Sequence, residues 1–159
     1  MKRANQLQPL SRQHHLGLNL SRHAKECADN PHEISKHWQA LSTYMTDMHN
    51  HFQIEDNLLA SALQPHKDNN TEVTSVLDTL DEQHKQLHKL TAEITASQDT
   101  KSGLPTAENV RQFADMLYDH IRFEERELFP IVEEYLTEDQ LDAIYHASPD
   151  NIKHLDEKR

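Results

Sequence analysis

The chain has 159 residues, 35% of them hydrophobic and 27% charged, the balance of one soluble domain built around a single core. Its formal net charge of −11 argues against nucleic acid as a partner, because there is no basic face to neutralise phosphates. The same charge argues against anionic membrane surfaces. Two glycines and six prolines are few turn residues for a β-protein, and thirteen scattered histidines call for an explanation.

Breakers divide the chain into helical runs. Pro9 precedes a run from about Leu10 to Ala28, closed by Asp29-Asn30-Pro31. A second run extends from about Glu33 to Leu63 and stops at Pro65, and residues 66–70, HKDNN, read as a turn. A third run spans about Thr71 to Ser97, residues 99–106 form a loop, and a fourth run spans about Ala107 to Tyr135. Thr137 and Gln140 form a capping box for a short fifth helix, after which the chain is polar and frays. Apolar residues recur at three and four: Val73, Val76, Leu77, Leu80, Leu87, Leu90 and Ile94 in the third run, Val110, Phe113, Leu117, Ile121 and Leu128 in the fourth. The expected fold is all-α. A four-helix bundle, up-down-up-down, covers about 9–136, and a short C-terminal fifth helix with its tail covers 137–159, within one domain over 1–159. Pro130 lies inside the fourth run and predicts a kink or a broken last turn there.

Every long run interrupts its buried stripe with histidine. Leu10, His14 and Gly17/Leu18 share a face in the first, and Met48, His51, Glu55 and Leu58/Leu59 in the second. Leu80, His84 and Leu87/His88 do so in the third, and Leu117, His120, Glu124 and Leu128 in the fourth. A lone core histidine is more often a hydrogen-bonded structural residue, and a glutamate at a stripe edge usually reaches water. Together they cannot be explained that way. Burying isolated carboxylates costs several kcal/mol each, and two close together repel. A bundle core holding these imidazoles and carboxylates calls for metal cations at its centre. Without thiolates a structural zinc site is disfavoured. Six or seven inward ligands exceed one tetrahedral ion, so two ions roughly 3.5–4 Å apart, bridged by the glutamates, fit better. Imidazole with carboxylate suits iron, with manganese or zinc also acceptable in a purified sample. The Glu-x-x-His spacing of ferritin-like sites is absent, since no glutamate has a histidine three residues later.

The histidine in LSRQHHLGL, His-x-x-x-Glu in HFQIEDNLL, the histidine in LDEQHKQL and His-x-x-x-Glu in DHIRFEERELFP resemble, in order, the hemerythrin-like or HHE cation-binding family over about residues 7–136. The resemblance implies a four-helix bundle around an oxo- or carboxylate-bridged di-iron centre. It makes His51, His84 and His120 terminal ligands and Glu55 and Glu124 bridges. The helix-A ligand it implies is His14, with His15, about 100° off the stripe, as the alternative. His88 either matches the second histidine of the His-x-x-x-His element of oxygen carriers or is a partly exposed helix residue. Oxygen-carrying members place an aspartate five after the last helix histidine, whereas here Glu124 follows His120 by four, which points to the broader HHE group. Cys27 is the only cysteine, so the cysteine-bearing segment of relatives proposed to repair iron–sulfur centres is not matched. Gly17 admits a close helix approach or reflects loose packing.

The remaining histidines, His23, His32, His37, His49, His66, His146 and His154, read as surface residues. Trp38, Tyr44, Phe52 and Phe113 read as core; Tyr118 reads as structural, with an approach to the metals as the alternative. The expected function is a non-haem di-iron protein binding O2, NO or peroxide, or sensing iron or redox state. A peroxide-decomposing di-metal enzyme, an iron buffer and a metal-free helical interaction module are the alternatives. The implied partner is a small diatomic ligand or peroxide, with no nucleic acid, no membrane and room for a homodimer. The lone Cys27, the lack of a signal-type apolar run and the lack of a stretch of about 20 apolar residues lead to an expected cytoplasmic location.

Overall fold

A computed structural model describes residues 3–97 and 105–149. Among these residues every regular element is helical and none is a strand. A short 3-10 turn, Asn5–Leu7, leads into α1, Gln8–Ala24, with Pro9 in its first turn where the missing N–H costs nothing. The second arm starts at α2, Pro31–Asp47, with the Asn30 side chain accepting from the Glu33 N–H. It is interrupted at Met48 and continues as α3, His49–Ile54, a single π turn, Glu55–Leu59, and α4, Ala60–Leu63. The third arm is α5, Thr71–Ser97. The fourth is α6, Ala107–Phe123, a π turn at Glu124–Leu128, and α7, Phe129–Tyr135. The helix α8, Glu138–Ala147, opens with the expected capping box between Thr137 and Gln140.

The second and fourth arms therefore differ from the continuous helices read from periodicity. A π turn widens the ladder by one residue, so the Ala60 N–H reaches the Glu55 carbonyl and the Phe129 N–H reaches the Glu124 carbonyl. Pro130 follows the second π turn as an early residue of α7. Its missing N–H falls where the regular ladder has already been interrupted, so the expected disturbance sits one turn earlier than the proline. Of the predicted loop at 99–106, residues 99–104 lie outside the described residues, as does the tail from 150. Thr106 is described, and its side chain caps α6 at the Asn109 N–H.

The helices enclose two apolar clusters. One gathers Trp38, Leu41, Met48, Phe52, Leu87, Ile94, Phe113 and Leu117, among others. The other gathers Leu7, Leu10, Ile54, Leu63, Leu77, Leu80, Leu128, Phe129 and Ile144, among others. α1 packs against α6 and α2, and α5 against α6. Close packing of α1 depends on Gly17: a Cβ there would lie 2.4 Å from the Tyr44 hydroxyl and 2.6 Å from Ile121 Cδ1. The missing side chain lets the buried Tyr44 hydroxyl donate to the Gln13 carbonyl at 2.9 Å. Burial, with the nearby Glu55 charge adding to it, raises the Tyr44 pKa far above its ordinary value, so the phenol keeps the proton it donates.

Candidate metal centre

Each arm reaches the boundary between the two apolar clusters with a polar side chain. His14 stands beyond Leu10, His51 between Met48 and Ile54, His84 between Leu80 and Leu87, and His120 between Leu117 and Phe123. Glu55 and Glu124 open the two π turns. All six side chains are buried, His84 being the most exposed at 5%. Their ligand-capable atoms fall into two groups that lie within 4.8 Å of one another: His14, His51, Glu55 and Glu124, and Glu55, His84, His120 and Glu124. Both carboxylates belong to both groups.

The ring orientations follow from the outer nitrogens. His14 Nδ1–H donates to Glu125 at 2.6 Å, His51 to Gln13 Oε1 at 2.8 Å, His84 to Asp56 at 3.1 Å and His120 to Gln83 Oε1 at 2.7 Å. These acceptors place the Nδ1 proton on the outer side of each ring and turn Nε2 inward, the atom a ligating histidine offers to a metal. Inside, the Nε2 atoms of His14 and His120 lie 3.2 and 2.8 Å from Glu124 Oε1, and those of His51 and His84 each lie 3.2 Å from a Glu55 oxygen. None of these contacts has hydrogen-bond geometry. All four Nε2 atoms and all four carboxylate oxygens are buried without a hydrogen-bond partner, and the only other such side-chain atom among the described residues is Arg3 Nε. Buried polar atoms are normally satisfied. Eight convergent exceptions, all metal-ligand types, fit metal cations with four protein donors at each of two positions.

Charge supports that arrangement. Burial would raise the Glu55 pKa, but the His51 and His84 imidazoles outweigh it and hold the carboxylate far below its usual range, so it is ionised. Burial holds His51 and His120 below the usual imidazole value, in the neutral form a metal needs. For His84 burial also opposes charge, yet Asp56 and Glu55 overcome it and raise the pKa to about 9. That value exceeds the ordinary 6.5, so charged His84 stabilises the metal-free fold fully below pH 6.5, and this contribution is lost as pH rises through about 9. A cation must displace this proton. Metal uptake near neutral pH is therefore expected to release a proton, read by calorimetry in buffers of different ionisation enthalpy, with affinity climbing as pH rises towards about 9. Uptake without proton release at neutral pH would show that His84 does not bind through its inner nitrogen.

His88 is not brought into the cluster. It is exposed, one turn beyond His84 on α5, with its ring centroid 5.7 Å from that of Phe52. His15 is exposed too, and His14 occupies the inward position. Tyr118 is half-buried under the Lys25 ammonium, 3.6 Å above its ring, and is not part of the cluster. His23, His32, His49 and His146 are exposed, and His37 and His66 are half-buried. His154 lies outside the described residues. Cys27 is buried among apolar residues with its thiol pKa raised chiefly by burial.

The supporting acceptors Gln13, Gln83, Asp56 and Glu125 were not singled out from the pattern of apolar residues. Their signal is a repeat longer than the 20–50 residues of common repeat proteins. Leu-x-x-Leu-x-x-Gln-His occurs at Leu7–His14 and again at Leu77–His84, shifted by 70, and His-x-x-x-Glu-acid occurs at His51–Asp56 and at His120–Glu125, shifted by 69. Each glutamine supports the partner helix's histidine within its own half. Each outer acid supports a histidine of the other half.

The fold and site define an all-helical domain with a buried histidine–carboxylate cluster able to hold metal cations. Residues 6–132 match the family model of the hemerythrin HHE cation-binding domain, and the chain belongs to that family. No curated protein and no solved structure matches it.

Proposed function

We propose that this domain is a non-haem di-iron protein that binds a small ligand such as O2, NO or peroxide, or reports iron or redox state. In this reading Glu55 and Glu124 would be shared by both ions, His14 and His51 would help hold one, and His84 and His120 would help hold the other. The observation that carries it is the set of eight buried donor atoms without partners, shared as two groups of four with both carboxylates in common. Imidazole and carboxylate donors without thiolate favour iron, and they also accept manganese or zinc.

Iron, when bound, supplies a reversible one-electron change at each ion and a Lewis-acidic position for a small ligand. The chain's own residues orient and isolate it. The Nδ1 acceptors fix the four rings, and Phe52 and Phe129 lie against them, with Phe52 edge-on to His84 at 4.8 Å and Phe129 stacked on His14 at 5.3 Å. The apolar clusters on either side exclude bulk water. We place the four arms up-down-up-down. This is supported by their order of contact, since the first and third arms begin in the cluster around Leu80 and the second and fourth begin in the cluster around Leu41 and Phe113.

The test is an iron count and visible spectrum of untagged protein from iron-replete cells. Two irons per chain and a charge-transfer band that shifts with azide are expected. Protein that holds no iron, and takes up none on anaerobic reconstitution, would refute the reading. Turnover of peroxide by the loaded protein would make it an enzyme instead of a binder.

A further inference from the structure

The two metal positions have the same donors but different support. Glu125, which holds His14, is anchored: it accepts from the Ser11 hydroxyl at 3.1 and 2.9 Å, and Arg3 Nη2 donates to its carbonyl at 2.8 Å. Arg3 is itself tied to Glu133, whose other oxygen accepts the Ala4 N–H at 2.7 Å. The Arg3 guanidinium also lies 5.3 Å over Phe129, the ring stacked on His14. The segment before α1 thus secures His14 along its edge and behind its face.

Asp56, the repeat counterpart of Glu125, has none of this. Its side chain is 56% exposed, against 21% for Glu125, and its bond to His84 is longer, 3.1 Å against 2.6 Å. The repeat explains the difference. Where the first half has Ser11 the second has Asp81, an acid that cannot donate to Asp56 and instead pairs with Lys85 at 2.8 Å. Where Arg3 stands the second half has Val73, and the counterpart of Phe129 is Ala60. Exposed carboxylates exchange their partners with water, so Asp56 holds its histidine less firmly.

We propose that the two positions are unequal. His14 and His51 form the retained site, His84 and His120 form the exchanging site, and Arg3, Ser11, Glu125 and Asp56 are the positioning residues that set the difference. This rests on the di-metal reading. The experiment loads the full-length protein with ferrous iron without oxygen, counts bound iron, and follows release to an excess of a colorimetric chelator. Two equivalents leaving in two separate phases are expected. Asp56→Ala should accelerate the fast phase, on the order of tenfold, without changing the slow one. Asp56→Glu, restoring the longer acid, should slow the fast phase. Arg3→Ala and Ser11→Ala should accelerate only the slow phase. A purely structural role for these residues would move both phases together, and circular dichroism of each variant checks that it folds. Two equivalents leaving at a single rate, or Asp56→Ala accelerating the slow phase, would overturn the inference while leaving the di-metal reading intact. One equivalent or none at the start would remove both.

Discussion

Replacing Glu124 with alanine is expected to empty both positions at once. Its carboxylate belongs to both groups of donors, and one of its oxygens lies within 3.2 Å of both His14 and His120. The substitution takes one of four donors from each ion and the one negative charge they share, and leaves the His14 and His120 rings facing a gap. Losing an outer partner of a metal ligand already costs about 10–100-fold in affinity, so losing a shared ligand should cost more at both positions. Glu55→Ala should behave alike, because its two oxygens face His51 and His84 separately. His120→Ala and His84→Ala remove a donor from only one group and should leave the other position occupied. His146→Ala, an exposed position on α8, should leave the count unchanged. Elemental analysis after desalting separates these outcomes, and a Glu124→Ala protein retaining two irons would rule out the bridging assignment.

How much of this was legible beforehand depends on what carries the signal. The helices and the inward histidines follow from apolar spacing, because burial acts on one side chain at a time and leaves a period of three and four. His14, His51, Glu55, His84, His120 and Glu124 all lie on such stripes and all are buried. His88 shares the stripe with Leu80 and His84 by spacing, yet it is exposed, since Leu87 and Leu90 take the inward positions of that turn. Periodicity resolves a face to about one residue in four and no better. The π turns were not legible, because one extra residue in a hydrogen-bond ladder leaves the composition unchanged. Neither were the outer acceptors, because Gln13, Gln83, Asp56 and Glu125 are polar residues at the edges of buried stripes and look like any solvated flank. Only alignment of the two halves of the chain against each other brings them out.

Removing metal is expected to lower the unfolding temperature substantially. With ligand at about a thousand times its dissociation constant each ion adds roughly 4 kcal/mol, and for a domain of this size each kcal/mol moves the midpoint by about 2–4 °C. Two ions should therefore raise it by more than roughly 10 °C, which a calorimetric scan with and without chelator reads directly. A sharper test comes from the double variant Glu55→Leu/Glu124→Leu. It cannot hold the ions, yet it should melt at or above the temperature of the metal-free parent. Buried carboxylates replaced by apolar groups of similar volume are commonly neutral or stabilising, provided no uncompensated charge remains. Here burial keeps His51 and His120 neutral, His84 keeps its bond to Asp56, and His14 keeps its bond to Glu125. The parent's stability should depend on iron and the variant's should not. If the variant instead melts well below the metal-free parent, the two carboxylates contribute to the fold through protein contacts alone. The case that they are there to bind metal would then lose its energetic basis.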